Sequence, residues 1–317
     1  MNELIISDNV TSIADVKNNT KIPNNPALSY LLRLRSKKSQ KTMRSCLTTV
    51  VNMFGEKEPL NFNWSSMNRD AVQVVLQRLM SEKKSPNSIN LVLCAIKGVA
   101  EEARTSRIID SDTYHDVKSI KRVRGFRVGR GRMLEQDEIK QIFQYVDFCS
   151  TAIAIRDAAM ISLMIGCGLR RSEVADLEYS NIDFKSYSIK ICGKGNKERE
   201  NFMPEDTYNR LKVWVETVRG DHSGALFTRI RKNDDVTCDK ITTNGIGFVI
   251  EQIIINLGMK SFTPHDFRRT YASLLLENGE DILTVKEALG HASVITTQKY
   301  DKRSTKRLKE AARKLQF

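Results

Sequence analysis

The segment TPHDFRRTYAS, residues 263–273, decides how the second half of this chain reads. Pro264 suits the first position of a helix, where its missing N–H costs nothing, and Thr263 stands where a capping hydroxyl is wanted. Inside that helix His265 and Arg268 lie three residues apart on one face. A histidine in the first turn sits where a helix N-terminus favours anions, and the chain has only 4 histidines. Alone, the segment is a weak signal.

Three other clusters flank it. In GCGLRRSEVADL, residues 166–177, Gly168 ends an apolar helix and Arg170 follows the break. Ser172 is the expected cap of the next helix, with Glu173 close behind. A planar guanidinium at such a junction can be aimed at a phosphate, although taken singly an ordinary surface Arg–Glu pair is the stronger reading. In ICGKGNKERE, residues 191–200, Lys194 stands between Gly193 and Gly195 at a tight turn between expected strands. The stretch is no phosphate-binding P-loop, because no GKS or GKT ends it and no helix follows. By default a charged hairpin tip is a solvated turn. In LGHASVITTQKY, residues 289–300, Gly290 ends a helix, His291 follows, and Tyr300 lies nine residues on. A lone tyrosine is usually a half-buried core aromatic.

Composition sets the frame. The chain has 317 residues with 40% hydrophobic and 28% charged side chains, which excludes wholesale disorder and suggests about two domains. Its formal charge is +13, a surplus that points to a polyanionic partner. Residues 1–133 hold 23 basic and 12 acidic side chains, and residues 134–317 hold 28 and 26. The densest block is KRVRGFRVGRGRM, residues 121–133, with Lys121, Arg122, Arg124, Arg127, Arg130 and Arg132, three glycines and no acid. Repulsion and glycine entropy make it a flexible linker, for which its charge favours a basic strap along phosphates over a plain solvated linker. The 6 cysteines have no metal-ligand spacing. The most apolar stretch, Thr151 to Met164, is too short for a bilayer and contains Arg156 and Asp157. No signal-peptide pattern opens the chain. The expectation is a cytoplasmic protein with no membrane partner.

Periodicity predicts a helical first domain over residues 25–120 behind a loose arm, 1–24. Helices are expected over Pro26–Arg35, Ser39–Phe54 and Asn68–Lys83, and from Pro86, with Ser85 as cap. After the linker, Leu134–Val146 and Ala152–Ile165 read as helices. Asn181–Phe184, Ser188–Cys192 and Glu200–Met203 read as a small antiparallel sheet, and helix returns from Ile241. The fold class is therefore mostly α with a small antiparallel β-sheet: an N-terminal helical domain and a C-terminal mixed α/β domain over 134–317.

Together and in this order, Arg170, Lys194, His265, Arg268, His291 and Tyr300 resemble the active-site signature of the tyrosine recombinase, or phage integrase, family. GLRRSE, GKGNKER, HDFRRT and LGHASVITTQKY are close to the patterns of Xer-type and mobile-element-borne members. The likeness runs through residues 134–317, and the first domain looks like the family's core-binding domain. Cys167, Phe267 and Arg269 depart from the common pattern at positions the family does not use catalytically. The resemblance implies that Tyr300 attacks a DNA phosphate, giving a 3′-phosphotyrosyl link and a free 5′-hydroxyl. Arg170 and Arg268 would stabilise the charge, Lys194 would protonate the leaving oxygen, and His265 and His291 would assist. Glu173 would orient an Arg or His from behind. No cofactor is implied, since the covalent link conserves the phosphoester energy. The lack of a carboxylate cluster or Cys/His ligand set argues against a metal-dependent nuclease.

The implied partner is double-stranded DNA with paired half-sites, on which four copies assemble as a tetramer across two sites. The stripe Leu308, Ala311, Ala312 and Leu315, with Phe317 beyond, would dock into a neighbouring protomer, as such segments do in the family, the alternative being that it packs back on its own domain. The alternatives are a catalytically silent DNA-binding relative and a type IB topoisomerase or telomere resolvase. The complete residue set speaks against the first and the small helical domain against the second. About 24 residues precede the first expected helix, too few for the arm-site domain of large phage integrases. No accessory or directionality factor is readable from the residues.

Overall fold

The computed structural model describes residues 25–125, 131–193, 197–291, 293–298, 300 and 313. Lys194, Arg127, Arg130, the arm 1–24 and the C-terminal apolar stripe lie outside the described residues. The chain divides into two units, Met1–Gly129 and Arg130–Phe317.

The first unit is helical: α1 (Pro26–Arg33), α2 (Lys37–Asn52), α3 (Arg69–Ser81), α4 (Pro86–Thr105) and α5 (Ser111–Ser119). Each begins at a side-chain cap: Asn25, Ser36, Asn68, Ser85 and Asp110. Ser36 starts α2 ahead of its apolar stripe, which is why periodicity placed the helix too late. The fifth helix was not anticipated, because SDTYHDVKS buries only Tyr114 and Val117, too few positions to show a period. Helix α4 runs through the core on Ile89, Leu93, Ile96 and Val99. Gly98 lets α1 close on it, since a Cβ there would lie 2.1 Å from the Tyr30 ring.

The second unit contains α6 (Gln136–Val146), α7 (Ala152–Gly166), α8 (Arg171–Asp176), α9 (Glu205–Trp214), α10 (Thr243–Asn256), α11 (Pro264–Glu277), α12 (Ile282–Leu289) and the short α13 (Val294–Gln298). Strands β1 (Ile182–Asp183), β2 (Ser188–Gly193) and β3 (Lys197–Phe202) form an antiparallel sheet in that order, and β4 (Thr228–Ile230) pairs with β5 (Val236–Lys240). Helix α7 is buried along most of its length and anchors the core with Ile142, Ile189, Leu211, Trp214 and Phe267. Strand β3 starts at Lys197, not Glu200: its charged first half is held by the ladder to β2, with Ile191 opposite Arg199. The polar hairpin β4–β5 and helix α9 were not foreseen either.

The expected flexible linker, 121–133, is tied down where it is described. At its start Val123 packs on the first core and exchanges two hydrogen bonds with the Asn90 side chain, 2.9 and 3.0 Å. At its end the Arg132 backbone N–H donates to Asp266 Oδ1 at 2.9 Å. An amide side chain and a carboxylate thus replace the ordering that glycine-rich, like-charged sequence lacks. No helix among the described residues is long and apolar enough to cross a membrane.

Candidate active site

Arg170 stands at the N-cap of α8, after the tight passage Gly166–Cys167–Gly168. Gly168 has φ +61°, and a Cβ there would lie 2.3 Å from the Tyr271 ring, so only glycine fits. The Arg170 N–H donates to Glu173 Oε2 at 2.8 Å and its Nη1 to Oε1 at 2.6 Å. This corrects the expected cap: Ser172 lies inside α8, and the carboxylate of Glu173 meets the free end instead. Glu173 is buried, and Arg199 of β3 grips it with both Nη atoms, 3.0 and 2.8 Å. Burial raises the Glu173 pKa, but the hydrogen bonds of Arg199 and Arg170 outweigh it and hold the carboxyl at about 2.

Helix α11 opens at Thr263–Pro264, where Asp266 Oδ2 accepts from both the N–H and the hydroxyl of Thr263 at 2.8 Å. That cap places His265 in the first turn and turns Arg268 into the interior, 1% exposed. Arg268 Nη1 donates to Gly168 O at 2.7 Å and Nη2 donates to Leu289 O, so one side chain joins the Arg170 passage to the turn before His291. Its Nε is buried with no hydrogen-bond partner among the described residues. Burial, then the nearby Arg170, lowers the Arg268 pKa to about 10, which leaves it charged at neutral pH.

The αL residue Gly290, φ +60°, ends α12 and delivers His291. His291 Nδ1 lies 2.9 Å from Thr297 Oγ1. Burial, then Arg268 and Arg170, pushes the His291 pKa down to about 4. Tyr300 is 5% exposed and packs with Ala272, Leu276, Val285 and Leu289. Its hydroxyl sits 3.0 Å from His265 Nε2, and its ring centroid is 6.0 Å from that of His291. Burial and the cations Arg268 and Arg269 lower the His265 pKa as well.

The structure thus gathers Arg170, Glu173, His265, Arg268, His291 and Tyr300. Lys121, Arg122 and Arg124 are exposed. Arg132 differs from the other linker cations: its guanidinium binds Glu138 at 2.5 and 2.8 Å and the Lys260 carbonyl at 2.7 Å. That engagement ties its guanidinium down within its own unit. Sequence reasoning missed Arg199 and Asp266, and marked Arg269 only as a departure from the common pattern. Arg199 had a faint signal, since β-alternation puts it on the core face of β3 opposite Ile191.

The depressed histidines have a consequence for stability. An unfolded histidine takes up its proton near pH 6.5, while folded His291 stays neutral to about pH 4. The unfolded chain then binds more protons, so this contribution to stability falls as pH drops from about 6.5 towards 4. Asp157 acts in the opposite sense: burial raises its carboxyl to about 6 despite Arg156, so it gains relative stability as pH falls through that value. The variant His291→Gln isolates the first effect. Its melting temperature should fall less than that of the unaltered chain between about pH 6.5 and pH 5. Parallel curves would mean that His291 protonates in the folded state.

The phage integrase family matches residues 132–307, more than half of the chain. Tyrosine recombinase XerA of Pyrococcus horikoshii is 31% identical over 278 residues, 87% of this chain and 88% of the relative. Tyrosine recombinase XerD of Oceanobacillus iheyensis is 25% identical over 288 residues, 89% and 94% of the two chains. Among solved structures, a lambda integrase dimer bound to a core site superposes with a TM-score of 0.66 at 14% identity, covering 86% of this chain and 92% of that one. That likeness shows the shared fold. The family's reach over more than half of the chain, and a relative of 31% identity spanning nearly all of it, make this chain a member of the phage integrase family, the tyrosine recombinases.

Proposed function

We propose that this site-specific recombinase cleaves and rejoins double-stranded DNA with Tyr300 as nucleophile. Tyr300 Oη attacks the scissile phosphorus as the P–O5′ bond breaks, leaving a 3′-phosphotyrosyl bond and a 5′-hydroxyl. Attack by a 5′-hydroxyl of the partner strand reverses the step, so bond energy is conserved and no cofactor enters. The observation that carries this reading is the 3.0 Å approach of the Tyr300 hydroxyl to His265 Nε2 beside the buried Arg268. His265, neutral at pH 7 by its lowered pKa, can take the phenolic proton. Two guanidiniums suit the charge that builds on the non-bridging oxygens. Arg170 is the more exposed of the two, and Arg268 Nε, a buried donor with no partner among the described residues, is left for a phosphate oxygen. His291, oriented by Thr297, donates from its other ring nitrogen. Lys194 protonates the leaving 5′-oxygen.

The first unit and the linker cations Lys121, Arg122, Arg124, Arg127 and Arg130 hold the duplex. Four copies act on two sites, because exchanging two strand pairs needs four nucleophiles, and the C-terminal stripe seats in the neighbour. The DNA-bound state of the lambda integrase and of the Tn1549 transposon integrase supports the choice of duplex DNA as partner. The test is capture from a duplex library with a randomised centre: the strand that stays on the protein in denaturant should be joined through its 3′ end and carry one recurring sequence, and the strand it releases should begin with a 5′-hydroxyl. Trapping without sequence preference, or released strands bearing a 5′-phosphate, would overturn it.

A second measurement addresses the linker. Replacing Arg122, Arg124 and Arg127 by Ala should weaken binding to all duplexes alike. Each lost phosphate contact should reduce the salt-dependence slope by about 0.9. An unchanged slope would mean that the linker does not meet the backbone.

A further inference from the structure

Arg269 stands where this chain departs from the common family pattern, and its surroundings assign it a task. Its Cζ lies 5.4 Å from the centroid of the Tyr300 ring, within cation–π range. Its Nε lies 3.6 Å from Asp266 Oδ1, close enough for an ion pair and too far for a hydrogen bond. The side chain is 22% exposed, so solvent does little to screen it. Asp266 is itself committed on both oxygens. Oδ2 caps α11 through Thr263, and Oδ1 accepts the Arg132 N–H. Gly131 covers the pair: a Cβ on that residue would lie 2.7 Å from Arg269 Nη2 and 2.7 Å from Asp266 Oδ1.

These contacts form one chain of support. The backbone at Gly131–Arg132 presses on Asp266 and Arg269, Asp266 steers the guanidinium, and the guanidinium lies over the ring of Tyr300. The His265 contact restrains the phenol only at its hydroxyl. Ala272, Leu276, Val285 and Leu289 pack against the ring without a directed contact, and the guanidinium adds one at the ring face.

We infer that Arg269 is a positioning residue for Tyr300, held in place by Asp266 and by the bare backbone of Gly131. The inference rests on the reading of Tyr300 as nucleophile. Arg269 touches no reacting atom. It acts by keeping the phenol in line with the phosphorus, and a misplacement of about 1 Å can cost on the order of 100-fold in rate.

The test uses the full chain and a nicked duplex of the captured sequence, in single turnover at saturating DNA. Arg269→Gln should slow formation of the covalent complex roughly 10- to 100-fold, with DNA affinity and melting temperature near those of the unaltered chain. Arg269→Lys keeps a cation over the ring and should recover most of the rate. Gly131→Ala should slow cleavage in the same direction, and joined to Arg269→Gln it should cost little more. Cleavage by Arg269→Gln at the unaltered rate would overturn the proposal. So would a rate loss matched by a lower melting temperature that Lys does not repair, which marks structural support alone. Full additivity of the two substitutions would sever Gly131 from Arg269 and overturn that link. Covalent complexes formed by Tyr300→Phe would instead remove the nucleophile on which the proposal rests, and that failure is read on a separate variant.

Discussion

Changing Tyr300 to Phe should leave duplex affinity nearly intact and lower covalent complex formation by roughly 10⁴-fold or more. The substitution removes one oxygen and keeps the ring. That ring packs with Ala272, Leu276, Val285 and Leu289, so the core beneath it should hold. Among the described residues the hydrogen bond lost is to His265 Nε2, worth about 0.5–1.5 kcal/mol for a neutral pair. The melting temperature should therefore fall by a few degrees at most. Binding is expected to survive because the proposed grip on the phosphate comes from cations, to which the phenol adds no charge. The measurement is a denaturing gel of labelled nicked duplex beside a gel shift of the same mixture. A denaturant-resistant adduct in the Phe variant would show that another group attacks. Loss of both the adduct and the shift would mean that the hydroxyl holds the active site open for DNA, a structural role the packing does not suggest.

What the sequence disclosed depended on how far each contact reaches along the chain. Caps are local, and so Ser85–Pro86, Thr263–Pro264 and Gly290 were legible from neighbours within a few residues. The gathering of Arg170, His265, Arg268, His291 and Tyr300 was legible only through the order of four motifs, because no local rule brings residue 170 to residue 268. The supports of that cluster were not legible. Arg199 reaches Glu173 across 26 positions, and Asp266 receives an N–H from 134 positions away. Charged residues in a segment such as KERENF read as solvated turn until the sheet register turns Arg199 inward against Ile191. The cap at Ser172 failed for a related reason. A serine hydroxyl is the stronger cap in isolation, but Glu173 was drawn to the same end of α8 by two guanidiniums.

That doubly held carboxylate carries the second large effect. Glu173→Ala should destabilise the catalytic unit by about 3–5 kcal/mol, the cost of breaking a buried ion pair. In a unit of this size that is a fall of roughly 10 °C in melting temperature. The reason is what the carboxylate leaves behind. Arg199 is 12% exposed and would face the cavity without its carboxylate, while Arg170 loses the only side chain among the described residues that fixes its fork. The damage should spread along Arg199, which donates from Nε to Ala288 O at 3.2 Å and packs under Gly290, where an added Cβ would lie 2.9 Å from its Cδ. Cleavage should then drop by on the order of 100-fold, since both the Arg170 side and the His291 side of the phosphate site lose their bracing. Arg199→Ala should cost less than Glu173→Ala, because Glu173 keeps Arg170 as a partner and stays charged. In the double variant the two losses should fall short of their sum by about 1–3 kcal/mol, the coupling expected of residues in one network. Calorimetric melts of the three variants measure all of this at once. Equal losses for Arg199→Ala and Glu173→Ala would assign the whole effect to the Arg199 pair and leave Arg170 as an exposed cation that Glu173 merely touches; strict additivity would break the network into separate contacts.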